Sequence, residues 1–142
     1  MAFLLDTMVV SEAARANPDP GVRGWLEARP LLDLHISVLL IGEIRKGVAL
    51  LPQSRKRDRL ESWLRTALVR QFHGRVLPVG DAVALAWGGL AAESRATGRE
   101  LPVVDGLLLA TAAVHGLTLV TRNVRDCRDR GVPVLDPWSA DA

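Results

Sequence analysis

The sequence predicts an α/β fold: a three-layer α/β/α sandwich around a mainly parallel central sheet. Three observations predict it. Short apolar runs alternate with longer helix-periodic stretches, in the order strand, helices, strand, helices, strand, helices, strand, strand. Residues 2–5 are apolar without alternation, as a strand covered on both faces is. That run ends in Asp6, at the strand end where open parallel sheets bind ligands.

The elements follow in order. After Asp6, helix-compatible residues run from Thr7 to Arg15, and Asn17-Pro18-Asp19-Pro20-Gly21 is dense enough in turn formers to stop them. Residues 22–29 read as a short helix closed by Pro30. Residues 34–37 are the second strand. Ser37 then caps a helix to about Leu51, in which Val38, Ile41, Ile44, Val48 and Leu51 repeat at helical spacing. Ser54 opens a further helix to about Phe72, with Leu60, Trp63, Leu64, Ala67, Leu68 and Phe72 as its apolar stripe. Its basic residues, among them Arg55, Lys56, Arg57 and Arg59, lie largely off that stripe. Residues 75–79 are the third strand. Asp81 caps a helix over residues 82–97, which Gly98 stops, and Pro102 opens another that Gly116 closes. Residues 117–121 and 132–135 are the last strands. No repeat, linker or low-complexity segment divides the chain, so one domain over residues 1–142 is expected.

Composition narrows the class. A chain of 142 residues that is 49% hydrophobic and 24% charged is able to bury a core and does not read as disordered. Eighteen basic and sixteen acidic residues leave a net charge of +2, too small by itself to establish a polyanionic partner. A single cysteine, Cys127, excludes an internal disulfide framework and a cysteine-based zinc cluster. The start MAFLLDTMVV lacks a basic leader region, and no apolar run has membrane-spanning length. A soluble protein of a reducing compartment is expected.

Most acids have ordinary settings, such as Asp19 in a turn or Asp58 and Glu61 among arginines. Four stand where apolar residues are expected. Asp6 ends the first strand and has a second reading as a cap for the following helix. Glu43 lies near the apolar face of its helix, with a boundary residue paired to Lys46 as the alternative. Asp105 occupies the first turn of a very apolar helix, where the helix dipole favours a carboxylate whatever its role. Asp126 follows the strand at 117–121, and otherwise reads as a surface acid paired with Arg122 or Arg125. Brought together in one cleft, four carboxylates resist common ionisation. A divalent cation resolves that conflict, and all-oxygen ligands select a hard ion, Mg²⁺ or Mn²⁺.

The chain resembles the PIN-domain ribonucleases, specifically the VapC/FitB-like toxins of bacterial toxin–antitoxin pairs. The resemblance rests on FLLDTMVVSE at residues 3–12, SVLLIGEIRKGVALL at 37–51, LPVVDGLLLATAAVHGLTLVTRNVRD at 101–126 and VPVLDPW at 132–138, in the family's order. It implies a PIN fold with an acidic metal pocket. It sets Asp6, Glu43 and Asp105 on three of the family's acidic positions, and Asp126 on the fourth in members with a TRN-x-x-D arrangement. Other members carry that acid directly after Thr-Arg, where this chain has Asn123, so the fourth contribution lies between Asp126 and Asn123. Thr121 matches a small hydroxyl residue that lines the pocket, and Thr7 is assigned a supporting place beside it. Two departures stand out. Met8 replaces the asparagine of the usual Asp-Thr-Asn-Val, and Cys127 stands where an aromatic is common and fills core space.

The resemblance also implies the chemistry and the company. The four acids hold one or two Mg²⁺ ions, with Mn²⁺ as a substitute, and RNA phosphodiesters are hydrolysed to a 5′-phosphate and a 3′-hydroxyl. Arg15, Lys46, Arg122 and Arg125 are candidates to hold the RNA backbone, and the basic run at 55–59 reads either as an RNA track or as a solvated helix start. A homodimer, a small antitoxin, DNA contact only through that antitoxin, a cytoplasmic location and no membrane are implied. Two other readings compete. A haloacid-dehalogenase-like phosphotransferase needs a second Asp where Met8 stands. A PIN-fold binding or assembly module that lost activity is kept in play by that same Met8.

Overall fold

The computed structural model describes residues 1–139 and bears out the α/β/α sandwich; the last three residues of the expected domain lie outside the described ones. Five strands, β1 (Phe3–Leu5), β2 (Leu34–Ser37), β3 (Val76–Leu77), β4 (Thr118–Val120) and β5 (Val134–Leu135), form one sheet in the order β3-β2-β1-β4-β5, with every pairing parallel. The chain starts at the centre, winds out through β2 and β3, then crosses over to β4 and β5. The direction of winding reverses between β1 and β4, which makes a crevice at their C-terminal ends.

Period-2 alternation divides the core. Phe3 and Leu5 face one helical layer, packing with Val9, Trp25, Leu40, Ile44, Leu64 and Leu68. Leu4 faces the other, with Leu108, Leu109, Ala112, Leu119 and Cys127. The first layer carries α1 (Thr7–Ala13), α2 (Pro20–Glu27), α3 (Val38–Ala49), α4 (Arg55–Trp63) and α5 (Val69–Gln71); α6 (Asp81–Thr97) and α7 (Val103–His115) belong to the second. A short α8 (Val124–Cys127) follows β4. No helix among the described residues is long and apolar enough to cross a membrane.

The structure corrects the element reading in four places. The single helix expected from Ser54 to Phe72 is broken by a π turn at Leu64–Leu68. Across that turn Leu64, Leu68 and Phe72 remain buried, as the expected apolar stripe has them. Asp81 does not cap its helix: Gly80 holds the cap position without a side-chain bond, and Asp81 lies in the first turn. The 3₁₀ turn Leu31–Asp33 and α8 were not anticipated, because each is too short to show a period.

One close approach sets α7 against α6. A Cβ on Gly106 would stand 3.0 Å from Trp87 Cδ1, 3.1 Å from Trp87 Nε1 and 3.3 Å from Leu101 Cδ2. Gly89, in α6, has nothing within 4 Å of its own Cβ position. Gly89→Ala is therefore expected to stabilise the protein by up to about 1 kcal/mol through helix propensity. Gly106→Ala is expected to forfeit that gain and lose about 1 kcal/mol net, because Trp87 must shift. Urea denaturation of the two variants checks the opposite signs.

Candidate metal centre

The parallel register places the site before any side chain is considered. Leu5 pairs with Val120, so the next residues, Asp6 and Thr121, emerge side by side at the crevice. The Asp6 amide donates to the Val120 carbonyl at 3.0 Å, carrying the ladder one step past the strand ends. Asp6 is buried. Its Oδ1 accepts from the Val9 amide at 3.0 Å, and its Oδ2 accepts from the Thr121 hydroxyl. The helix-cap reading of Asp6 holds: one carboxylate oxygen caps α1, while the other accepts from Thr121 just past β4.

The remaining acids come from three further elements. Glu43, half-buried on α3, does not pair with Lys46 but accepts from the Thr7 hydroxyl at 2.5 Å. Asp105 sits in the first turn of α7. Asp126 lies on α8 and pairs with neither Arg122 nor Arg125; its Oδ2 accepts from Asn123 Nδ2 at 3.1 Å. The same nitrogen donates to Asp105 Oδ2 at 2.8 Å. The Asn123 backbone amide donates to Thr121 Oγ1 at 3.1 Å. Asp6, Thr121, Asn123, Asp105 and Asp126 thus form one bonded chain, and Thr7–Glu43 is a second pair beside it.

Electrostatics show that these acids feel one another. The Asp6 carboxyl is pushed above its ordinary range, mainly by burial, and Asp105 adds to the push. Asp105 is pushed up as well, first by burial and then by Asp126 and Glu43, while its bond to Asn123 works the other way. The Cys127 thiol, wholly buried behind them, is driven up to about 12 by burial and by Asp105, Asp126 and Asp6. It is a core filler and no nucleophile, as expected.

The donor chemistry fits a hard divalent cation: the polar side chains at the crevice are carboxylates, hydroxyls and one amide, and a cation would relieve the repulsion among the acids. In the arrangement described, neutral donors satisfy the inner oxygens. Among the described residues, no three His, Cys, Asp or Glu side chains are gathered tightly enough to enclose an ion as they stand.

The basic candidates fall differently from expectation. Arg15 is exposed and pairs with Glu12 at 3.3 Å. The Arg122 guanidinium stacks 5.0 Å from the Trp138 ring centre. Lys46 and Arg125 are exposed on helix surfaces. A groove of about 910 Å³ opens beside Thr7 and Glu43, with Ile44, Val48, Leu51, Leu60 and Trp63 among its apolar lining and Arg15, Lys56 and Arg59 among its cations. Sequence reasoning left the role of Lys56 and Arg59 undecided; the turn of α4 against α3 brings them to this groove. Met8, whose side chain is 54% exposed, adds no bond to Asp6 beyond its backbone.

A parallel sheet with acids converging at its switch point defines an α/β protein with an acidic pocket, and comparison with known proteins places it in a family. Residues 3–129 match the PIN domain model, and the chain belongs to the PIN-domain family. It is 36% identical to Toxin FitB of Neisseria gonorrhoeae over 96% of this chain and 98% of that protein. It is 30% identical to VapC ribonuclease Y4jK of Sinorhizobium fredii over 96% of this chain and 97% of that one. In structure it matches FitAB bound to the IR36 DNA fragment, with a TM-score of 0.91 and 34% identity over 96% of both chains. Among PIN proteins it groups with the FitB and VapC toxins.

Proposed function

We propose that this chain is a Mg²⁺-dependent endoribonuclease, the toxin of a type II toxin–antitoxin pair, with Asp6, Glu43, Asp105 and Asp126 as its metal-holding acids. The observation that carries the reading is the convergence of Asp6, Asp105 and Asp126 on one bonded chain at the sheet's switch point, in a chain of the PIN family. Similarity to a protein named VapC ribonuclease supports RNA as substrate. A bound Mg²⁺, or Mn²⁺ in its place, would supply an acidified water and a counter-charge for the phosphate. The chain's own residues do the rest. Thr121 and the Val9 amide fix the direction of Asp6, Thr7 fixes Glu43, and burial behind Leu4 and Cys127 keeps the acids in a medium where their charge acts strongly. Lys56 and Arg59 on the groove rim are placed to meet RNA phosphates and join Arg15, Lys46, Arg122 and Arg125 as backbone contacts.

Similarity to FitAB in complex with DNA supports an antitoxin partner, with DNA contacted through that partner. The groove's apolar floor suits an antitoxin segment lying across α1, α3 and α4 and ending at Glu43, where it denies RNA the same rim. A homodimer and a cytoplasmic location belong to this reading. The alternative, a PIN-fold binding module with weakened activity, rests on Met8; what supports the nuclease reading against it is that Asp6 is held by Val9 and Thr121 without a side chain at position 8.

The test is metal removal. Purified protein free of antitoxin is expected to cleave RNA with Mg²⁺, to stop in EDTA and to resume on adding Mg²⁺ or Mn²⁺. Cleavage undiminished by EDTA overturns the metal assignment. No cleavage of total RNA, with Mg²⁺ present and the fold intact, favours the binding module.

A further inference from the structure

The geometry points to Asn123 as a positioning residue that joins Asp105 to Asp126 and sets the affinity of the pocket for its metal; this rests on the reading of the pocket given above. A single nitrogen, Asn123 Nδ2, lies 2.8 Å from Asp105 Oδ2 and 3.1 Å from Asp126 Oδ2. An amide nitrogen has two hydrogens, and here each has its own carboxylate. Both contacts are donations, so the side chain meets the acids as a neutral stand-in for a cation.

The residue is itself held. Its backbone amide donates to Thr121 Oγ1 at 3.1 Å, and that hydroxyl donates to Asp6. Past α8, Arg130 locks the segment: its Nε donates to the Asp126 carbonyl at 2.7 Å, and its Nη2 reaches the Arg99 and Glu100 carbonyls, each at 3.2 Å, in the loop before Asp105. Asn123 thus stands at the centre of a frame tied down on both sides. It draws together two like charges that otherwise repel, so the arriving ion finds Asp105 and Asp126 already adjacent. Asp126 and Asn123 then act as one unit, with Asn123 acting through the acids it bonds.

The test titrates Mn²⁺ itself, following free ion by electron paramagnetic resonance, against wild type, Asn123→Ala, Asn123→Ser, Asp126→Ala and the Asn123→Ala/Asp126→Ala double variant. Thermal melts of the metal-free proteins verify the fold. Asn123→Ala and Asn123→Ser are each expected to weaken Mn²⁺ binding about tenfold or more. The double variant is expected to bind within about threefold of the weaker single one, because both changes break the same link. Unchanged affinity in Asn123→Ala, or fully additive losses, overturns the inference; Asp105→Asn, titrated beside them, leaves the pocket reading standing if its Mn²⁺ binding is lost. Wild type that binds no Mn²⁺ overturns both. A second readout needs no variant. The Asn123 side-chain amide protons, resolved by ¹⁵N NMR in metal-free protein, are expected to exchange slowly with solvent; fast exchange rejects the link.

Discussion

Asp105→Asn is expected to lose Mg²⁺-dependent RNA cleavage by about a hundredfold or more, the scale set by removing one preorganised charge from a reacting centre. The same substitution is expected to make the metal-free protein more stable. Burial and the charges of Asp126 and Glu43 raise the Asp105 carboxyl above its ordinary value of 3.8, so the folded protein binds this proton more readily than the unfolded chain does. Stability from this group therefore falls as pH rises from 3.8 through the raised folded value. At neutral pH the ionised group weighs against folding, and an amide of the same shape removes the weight. The melting temperature in EDTA is expected to exceed wild type by a few degrees at pH 7, and the difference to shrink on acidification toward the ordinary carboxylate range. Asp6→Asn follows the same sign, since its carboxyl is also raised by burial and by Asp105. Melts across pH, run beside a cleavage assay, read both effects. A variant that still cleaves, or whose stability relative to wild type does not vary with pH, refutes the placement of these acids.

Arg75→Ala is expected to cost about 3 to 5 kcal/mol of folding stability, with no contribution from the acidic pocket. Arg75 is 9% exposed. Its Nη1 donates to the Leu31 and Leu34 carbonyls at 2.6 and 2.5 Å, its Nη2 donates to the Gln71 carbonyl, and it lies 5.2 Å from the Phe72 ring centre. The three carbonyls come from the 3₁₀ turn, the start of β2 and the end of α5. Removing the guanidinium strands buried acceptors and leaves a void beneath the sheet edge where β3 joins β2. Arg75→Lys keeps the charge but has no planar fork, so it is expected to recover only part of the loss. Urea denaturation with unchanged slope measures both, and an Arg75→Ala protein as stable as wild type denies the bond set its weight.

The sheet and the acids were legible because their signals are local. Residues 2–5 announce a doubly covered strand by composition, and Asp6, Glu43 and Asp105 announce themselves as charges among apolar neighbours. What holds those acids was less legible, since hydrogen bonds between residues 36 or 115 positions apart leave no trace in spacing. The open question of the fourth contribution arose because sequence ranks Asp126 and Asn123 as rivals. The fold shows them bonded, with the amide as donor and the acid as acceptor. Arg75 was read as the start of a strand, because nothing in the sequence distinguishes a guanidinium that turns inward from one that stays in solvent. The basic candidates were the weakest part for the same reason: Arg15 and Arg122 find a carboxylate and a ring respectively, while Lys56 and Arg59 reach the groove only once α4 has packed on α3.

The four acids stand at positions 6, 43, 105 and 126 of 142 residues, on segments that meet only when β4 has docked beside β1. A chain still emerging from a ribosome, or one clipped by a protease before α8, cannot gather the full set. The proposed site is thus complete only once the chain beyond β4 has folded, and it is lost when the C-terminal third is cut away.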